Sequence, residues 1–117
     1  MSPRDARAFL ADIIAASDAI TSMIPGLDLA RYSADLEKRS AVERQLFIIG
    51  EAMAQLRKLD PSALDQIPRA HQVIAVRNIL AHSYYSVRDD IIWELAQIHV
   101  PVLWASVQQM LRDWPAP

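Results

Sequence analysis

The chain has no cysteine, only two glycines and no excess of basic residues. Without cysteine it forms no disulfide, has no thiol nucleophile and offers no cysteine ligand to zinc or to an iron–sulfur cluster. Its 12 Lys and Arg against 14 Asp and Glu give a formal net charge of −2. This balance argues against a broad basic surface for nucleic acid, but it leaves room for a local basic patch.

Long apolar runs are also missing from the sequence. The apolar stretches are broken by Asp, Glu or Arg and fall well short of the ~20 residues that a membrane helix needs. Near the start of the chain, Arg4, Asp5 and Arg7 stand where a signal peptide would need an apolar run. We therefore expect a soluble, cytoplasmic protein.

The residues that are present predict one all-α domain over residues 1–117. This length suits a single domain with a thin core, which a partner chain could complete. Abundant alanine, few glycines and apolar residues spaced three and four apart favour helices throughout. The predicted fold is a bundle of four to five helices.

Capping residues and prolines place the boundaries of the first helices. The first helix ends at Pro25-Gly26, and Asp28 caps a shorter segment that runs to about Lys38. Ser40-Ala41-Val42-Glu43 has the pattern of a capping box. The helix that it opens is predicted to end near Leu59 and to bury the apolar stripe Val42, Leu46, Ile49, Met53 and Leu56.

Similar signals predict the remaining boundaries. Ser2 is the predicted cap of the first helix and Ser86 that of the last. Pro68 opens the helix before the last, which frays near His82 and carries Ile74, Val76, Ile79 and Leu80. Pro101 is expected to kink the last helix, whose predicted apolar stripe is Ile91, Leu95, Ile98 and Val102.

The run from Arg77 to Tyr85 places polar and titratable side chains at the end of an otherwise apolar helix. Asn78 and His82 are one turn apart and share a face. Arg77 and His82 are separated by about 140° around a regular helix. They can converge only through the length of the arginine, through unwinding near His82, or through a second copy of the chain.

The residues alone leave two interpretations of this run open. In the first, Arg77 binds a phosphate with its planar fork, His82 moves a proton near neutral pH, and Asn78 orients the imidazole. In the second, Arg77 pairs with an acid, His82 caps the helix C-terminus, and the tyrosines pack at the end of the bundle.

The same residues resemble a known family. Arg77, His82 and Tyr84 match the R-x4-H-x-Y motif of the HEPN ribonuclease toxins of the HepT type. Ser83 stands where members often have glycine, and Ala75-Val76 stands where a Gly-Met step often precedes the arginine; neither change removes a chemical group. The similarity covers nearly the whole chain and includes, in the expected order, the runs Asp12-Ile13-Ile14, Ile48-Ile49-Gly50-Glu51-Ala52 and Ile91-Ile92-Trp93.

This resemblance implies a HEPN-like helical bundle that forms a homodimer, with the two motifs meeting at a cleft. It implies the toxin of a type VII-like toxin–antitoxin system, an endoribonuclease that cleaves RNA without a metal ion. The implied partner is a nucleotidyltransferase antitoxin of the MNT type, which uses ATP and Mg²⁺ to transfer AMP onto the motif tyrosine. The chain itself is expected to need no cofactor, and neither DNA nor a membrane is an expected partner.

Carried over residue by residue, Arg77 and His82 are catalytic, Asn78 supports them, and Tyr84 is the site of AMPylation. RNA supplies its own nucleophile, the 2′-hydroxyl group. His82 would move a proton to or from the 2′-oxygen or the leaving 5′-oxygen, and Arg77 would stabilise the phosphorane charge. AMP on Tyr84 would add negative charge and bulk beside Arg77 and compete with the scissile phosphate.

Two other functions stay open at this point. The chain could be a weakly catalytic or non-catalytic binding subunit that serves as the AMPylation substrate of the nucleotidyltransferase. It could also be a structural bundle in which Arg77 and His82 point away from each other and from any cleft. The sequence does not decide between Tyr84 and Tyr85 as the AMP acceptor.

Residues outside the motif receive plainer interpretations. His71, His82 and His99 are 11 and 17 positions apart, which matches no metal-site pattern, so no metal is predicted. Gly50 costs a helix about 1 kcal/mol relative to alanine, and a close approach of two helices would explain its presence. Glu51 is expected to form a solvated or structural ion pair; orienting His82 or Arg77 is the alternative.

Overall fold

The computed structural model describes residues 5–82 and 87–115, and these contain helices and no strand. This confirms the predicted all-α class. A π-helical turn, Leu95–His99, joins the last two helices without a break. The helices are α1 (Ala6–Met23), α2 (Leu29–Ala34), α3 (Leu36–Leu59), α4 (Pro61–Asp65), α5 (Ala70–Leu80), α6 (Asp89–Glu94) and α7 (Val100–Asp113).

Helix α3 lies at the centre of the bundle. Helix α1 packs against it and also against α7, while α5 packs on α3 from a separate side. The stripe predicted for α3 is fully buried and forms the middle of the core, together with Leu10, Ile13 and Ile20 of α1. Each such side chain contributes roughly 1.5–3 kcal/mol through its burial. None of the helices in the described ranges is long and apolar enough to cross a membrane.

The start of α3 differs from the prediction. The expected capping box Ser40-Ala41-Val42-Glu43 lies inside the helix, which begins at Leu36. Asp35 is the N-cap, and its carboxylate accepts a hydrogen bond from the Lys38 backbone N–H at 3.0 Å. Aspartate caps as well as serine does, and the residues after it favour a helix, so the helix begins at the earlier cap. As a result α2 ends at Ala34 rather than near Lys38.

Two other predicted boundaries hold. Asp28 caps α2 by accepting a hydrogen bond from the Arg31 N–H at 2.8 Å. Gly26 ends the turn after α1 with a φ of +83°, which glycine adopts at no steric cost. The predicted caps Ser2 and Ser86 lie outside the described residues; within them, α1 begins at the N-cap Asp5.

Helix α5, which carries the motif arginine, begins two residues later than predicted. Arg69 precedes it with a left-handed backbone, at a φ of 64°, so Pro68 lies outside the helix. The helix ends at Leu80, close to the predicted fraying near His82. Of the apolar residues noted for this helix, Ile74 and Val76 are buried, whereas Ile79 is 43% exposed.

The π turn changes which face of the last helix is buried. Ile98 and Val102 were predicted to face the core, but each is 52% exposed. A π turn holds one extra residue, so the helix beyond it is rotated relative to a regular α-helix. The turn ends two residues before Pro101, which has no N–H for a regular helical bond. Beyond the turn the buried residues are Val100, Leu103, Val107 and Met110.

Candidate functional site

Arg77 lies in the last turn of α5, where this helix packs closely against α3. Opposite it stands Gly50, which is buried. A Cβ atom on Gly50 would overlap the Arg77 Cβ and would lie 3.0 Å from both the Arg77 Cγ and the Val73 carbonyl oxygen. The predicted close approach of two helices at Gly50 is thus confirmed, and the neighbour that requires it is the stem of Arg77.

Hydrogen bonds hold the head of Arg77. Its Nε and Nη2 both donate to Glu51 Oε2, at 2.8 and 2.5 Å, and its Nη1 donates to Asn78 Oδ1 at 2.6 Å. The other carboxylate oxygen, Glu51 Oε1, accepts from Gln55 Nε2 at 3.3 Å. We call these four side chains, from Gln55 through Glu51 and Arg77 to Asn78, the Arg77 network.

The network lies at the surface of the bundle. The side chains of Arg77 and Glu51 are 27% and 39% exposed. The pKa of Glu51 is lowered, first by its hydrogen bond with Arg77, while partial burial opposes this shift. The ion pair expected of Glu51 is therefore present, and its partner is the arginine of the motif.

Asn78 is exposed and follows Arg77 directly in α5. The sequence led us to expect that it orients the imidazole of His82. In the structure its side-chain oxygen accepts a hydrogen bond from the guanidinium. The Asn78 side chain therefore binds the Nη1 nitrogen of Arg77.

His82 follows the end of α5 and is exposed. The Ala81 N–H still donates to the Arg77 carbonyl at 2.9 Å, but the His82 N–H donates to the Ile79 carbonyl at 3.1 Å, three residues back. The chain therefore leaves the regular α-helix between Arg77 and His82. Unwinding at this point is one of the three ways in which the two residues could converge. Tyr84, together with Tyr85, lies outside the described residues.

Two shallow depressions lie along α3 and share the side chains of Arg44 and Phe47. Between them the Arg44 guanidinium carbon lies 5.5 Å from the centroid of the Phe47 ring. One depression, of about 300 Å³, is bordered by Arg44, Phe47, Glu43, Leu80 and Ala81. The other, of about 170 Å³, extends past the same pair to Glu51 and to Phe9 of α1. Both are open, so an extended ligand could lie along this face of α3.

A larger cavity lies elsewhere. It measures about 590 Å³ and lies between the end of α7 and the start of α4. Its lining includes Asp60, Asp113 and Trp114 and none of the motif residues that the structure describes. We place the candidate site at the Arg77 network instead, because it holds the motif arginine, whose guanidinium suits phosphate.

The other histidines play no part in this site. His71 is exposed, and His99 is mostly buried, with its Nε2 3.5 Å from Glu94 Oε1. Within residues 5–82 and 87–115, no group of three or more His, Cys, Asp or Glu side chains could hold a metal ion.

Two residues of the network were not among the predicted site residues: Gln55, which the sequence did not single out, and Glu51, for which orienting Arg77 or His82 was the alternative to an ion pair. The signal for Glu51 was the run Ile49-Gly50-Glu51 in the middle of a helix. Glycine at such a position indicates a close neighbour, but the sequence could not identify that neighbour as Arg77.

The fold and the motif define a small all-helical protein with an R-x4-H pair at the end of helix α5. The sequence model described as "Ribonuclease HepT-like" matches residues 13–110. Because this match covers most of the chain, the chain belongs to the HepT-like ribonuclease family. The family inferred from the motif is thereby confirmed.

Curated relatives agree with this assignment. The chain is 29% identical over 108 residues to "Putative RNase MJ1380" of Methanocaldococcus jannaschii, and the alignment covers 92% of this chain and 98% of that protein. It is 28% identical over 113 residues to "Putative RNase MJ0125" of the same organism, with 97% of each chain covered. It is 27% identical over 106 residues to "Putative RNase TTE0752" of Caldanaerobacter subterraneus subsp. tengcongensis, covering 91% and 94%. No solved structure matches the chain significantly.

Proposed function

We propose that this protein is the toxin of a type VII-like toxin–antitoxin system and cleaves RNA as a metal-independent endoribonuclease in the cytoplasm. The observation that carries the proposal is the placement of Arg77. In a chain of a ribonuclease family, the motif arginine is held at the surface by Glu51 and Asn78, and the exposed His82 follows directly after its helix. These groups suit the charge and the proton transfers of phosphodiester cleavage.

In the proposed reaction RNA supplies the nucleophile. A neutral His82 accepts the proton of the 2′-hydroxyl, and the 2′-oxygen attacks the adjacent phosphorus. The bond from phosphorus to the 5′-oxygen breaks, a 2′,3′-cyclic phosphate forms, and the leaving 5′-oxygen takes a proton from a protonated histidine. Arg77 stabilises the negative charge of the phosphorane. In-line attack needs a distorted backbone, so a single-stranded or loop RNA is the favoured substrate.

A homodimer would supply the two histidines that this scheme needs. One copy of His82 would act as the base and the copy in the second protomer as the acid. The thin core of a 117-residue chain favours such association.

The proposed control is the transfer of AMP from ATP onto Tyr84 by a nucleotidyltransferase antitoxin of the MNT type. The Mg²⁺ and ATP belong to the partner's reaction. The added phosphate carries negative charge close in sequence to Arg77 and would compete with the RNA phosphate for the guanidinium.

One observation favours the alternative, a non-catalytic subunit that serves mainly as an AMPylation substrate. Arg77 already has a carboxylate partner in Glu51. An ion pair with a purely structural role would show the same contact. The two functions differ in what Arg77 and His82 do, so variants of these residues separate them.

The test expresses the chain alone in cells, beside Arg77→Ala and His82→Ala, and follows growth and the ends of cellular RNA. We expect growth arrest and new 2′,3′-cyclic phosphate ends with the parent chain, and a loss of about a hundredfold or more in cleavage by either variant. Circular dichroism checks that both variants fold. If purified, folded His82→Ala cleaves RNA as well as the parent, the mechanism is wrong. A parent that causes no arrest and leaves RNA intact favours the binding subunit.

AMPylation needs a separate measurement. The chain is incubated with ATP, Mg²⁺ and the nucleotidyltransferase and weighed by mass spectrometry. We expect a mass increase of one or more AMP groups, absent in Tyr84→Phe and retained in the matched control Tyr85→Phe. An unchanged mass shift in Tyr84→Phe would assign the AMP to another residue.

A further inference from the structure

We propose that Glu51 is a positioning residue for Arg77: it occupies the side edge of the guanidinium and so presents the end of the fork to the scissile phosphate. The inference rests on the proposed ribonuclease function. It assigns a task to a carboxylate that does not itself contact the reacting atoms.

The argument begins with the donors of the guanidinium. An arginine has five N–H groups, one on Nε and two on each terminal nitrogen. Glu51 Oε2 takes the N–H of Nε and one from Nη2, and Asn78 takes one from Nη1. Among the residues that the structure describes, this leaves one N–H on Nη1 and one on Nη2 without a partner. A pair of terminal N–H groups suits bidentate binding of phosphate oxygens.

The stem of the arginine is restrained as well. Gly50, next to Glu51 in α3, leaves just enough space for the Arg77 Cβ and Cγ. Consecutive residues of α3 thus restrain both parts of one side chain, since Gly50 receives the stem and Glu51 binds the head. A long arginine side chain loses considerable rotamer entropy when it is ordered. Because Arg77 is already ordered by these contacts, it does not lose this entropy when RNA binds.

The same contacts make Glu51 a poor proton acceptor. Both of its oxygens accept hydrogen bonds, two from Arg77 on Oε2 and one from Gln55 on Oε1. These bonds stabilise the ionised form. Its negative charge also weakens the attraction of Arg77 for phosphate at long range. A positioning role therefore predicts a loss in kcat without a matching rise in KM.

The first test is a double-mutant cycle on RNA cleavage by the full-length chain. Glu51→Ala should lower kcat by about a hundredfold, the scale expected when a catalytic group is displaced by about 1 Å, with KM changed less than about threefold. Glu51→Gln, which keeps an acceptor oxygen, should recover part of the rate. In an Arg77→Ala background, Glu51→Ala should cost nothing further, because its effect passes through Arg77.

The matched control is Glu37→Ala, an identical change at an exposed position in the first turn of the same helix. It should leave kcat and KM unchanged. Thermal unfolding followed by circular dichroism confirms that each variant is folded, so that a loss of rate reports on the site.

A second measurement does not depend on catalysis. A ¹⁵N-edited spectrum of the arginine side chains should show a protected Nε–H for Arg77, assigned by its absence in Arg77→Lys. Glu51→Ala should remove this protection, and Glu37→Ala should not. Protection that persists in folded Glu51→Ala would overturn the inference.

The outcomes separate this inference from the proposed function. If Arg77→Ala loses cleavage while Glu51→Ala keeps it, or if the two losses add, Glu51 does not position Arg77 and the ribonuclease proposal stands. If the parent and Arg77→Ala cleave equally or not at all, the ribonuclease proposal fails. The Nε–H spectrum then decides whether Glu51 holds the arginine.

Discussion

Two glutamates of α3, Glu43 and Glu51, occupy opposite environments although only two turns of helix separate them. Glu51 is partly exposed and bound to Arg77, and its pKa is lowered. The pKa of Glu43 is raised, first by burial and then by the charge of Asp89, while Arg39 opposes the shift. The pKa values of two identical side chains on one helix are therefore shifted in opposite directions.

The surroundings of Glu43 form a second polar group, the Tyr32 cluster of Tyr32, Arg39, Glu43 and Asp89. Arg39 Nη1 lies 3.9 Å from Asp89 Oδ2, too far for a hydrogen bond. Tyr32 Oη and Arg39 Nε are buried and have no hydrogen-bond partner within the part of the chain that the structure describes. The pKa of Tyr32 is also raised well above its usual value, first by burial and then by the charges of Glu43 and Asp89.

The comparison shows what each arrangement achieves. The Arg77 network satisfies its charged groups at the surface and fixes the direction of one guanidinium. Within the described residues, the Tyr32 cluster leaves the Tyr32 Oη and the Arg39 Nε without a hydrogen-bond partner, and a buried polar group without a partner lowers stability because it has lost its water. Polar contacts on α3 thus serve geometry in one place and oppose folding in the other.

The largest effect is expected from Gly50→Ala. The added Cβ overlaps the stem of Arg77, and such overpacking destabilises a fold by about 1–3 kcal/mol. The higher helix propensity of alanine offsets up to about 1 kcal/mol of this loss. We expect the free energy of unfolding in urea to fall by about 1–2 kcal/mol and RNA cleavage to fall with it.

Gly26→Ala is the matched control for this prediction. It places alanine at a φ of +83° with no atom within 4 Å of the new Cβ, so it should cost about 1 kcal/mol through backbone strain. Cleavage by this variant should be unchanged. Equal loss of cleavage in both variants would mean that Gly50 acts on global stability alone.

Glu51→Gln should lower stability by less, and mainly near neutral pH. Because the folded pKa of Glu51 lies below its ordinary 4.5, the ionised form stabilises the fold above about pH 4.5, and this contribution is lost as pH falls through the folded pKa. The side chain is 39% exposed, so screening holds the effect below about 1 kcal/mol. Urea unfolding at pH 7 and pH 3 should show a difference from the parent that shrinks at pH 3.

Glu43→Gln should act with the opposite sign. A raised folded pKa means that the ionised form opposes folding above that pKa, and that this penalty disappears as pH falls below the ordinary 4.5. We expect the variant to gain about 0.5 kcal/mol at pH 7 and nothing at pH 3. A loss of stability at pH 7 would show instead that attraction to Arg39 outweighs burial and the repulsion from Asp89.

The smallest effect is expected from Tyr32→Phe. The ring packs against Trp93 with centroids 5.4 Å apart and is retained in phenylalanine, while the unsatisfied hydroxyl is removed. The melting temperature should stay the same or rise slightly. A destabilisation of more than about 1 kcal/mol would mean that the hydroxyl makes a hydrogen bond.

The buried residues were predicted correctly where apolar residues keep one helical spacing along the whole helix. The buried stripe of α3 follows the helical period without interruption, and every predicted member from Val42 to Leu56 is buried. The stripe of the last helix failed at Ile98 and Val102 because the π turn changes the phase, and no local pattern marks such a turn. The helix start at Asp35 was missed because a second good cap lay five residues further on.

The site was predicted in the same uneven way. The motif identified Arg77, and the glycine in α3 indicated a close contact. Pairing Arg77 with Glu51, the neighbour of that glycine, required the packing of α5 on α3, which brings together residues that are 26 positions apart. The roles of Arg77, His82 and Tyr84 stay predictions that the variants above test, and the supporting role of Asn78 also stays a prediction.

The carboxylate partner of Arg77 also bears on how ionic strength affects RNA binding. Because Glu51 neutralises Arg77 and the chain carries a formal charge of −2, binding of RNA should release few counterions. With one or two phosphates contacted, the logarithm of the affinity should fall with that of the salt concentration with a slope of about −1. Choice among RNAs would then depend on which strands can bring a phosphate to the end of one guanidinium, with little contribution from general attraction to polyanions.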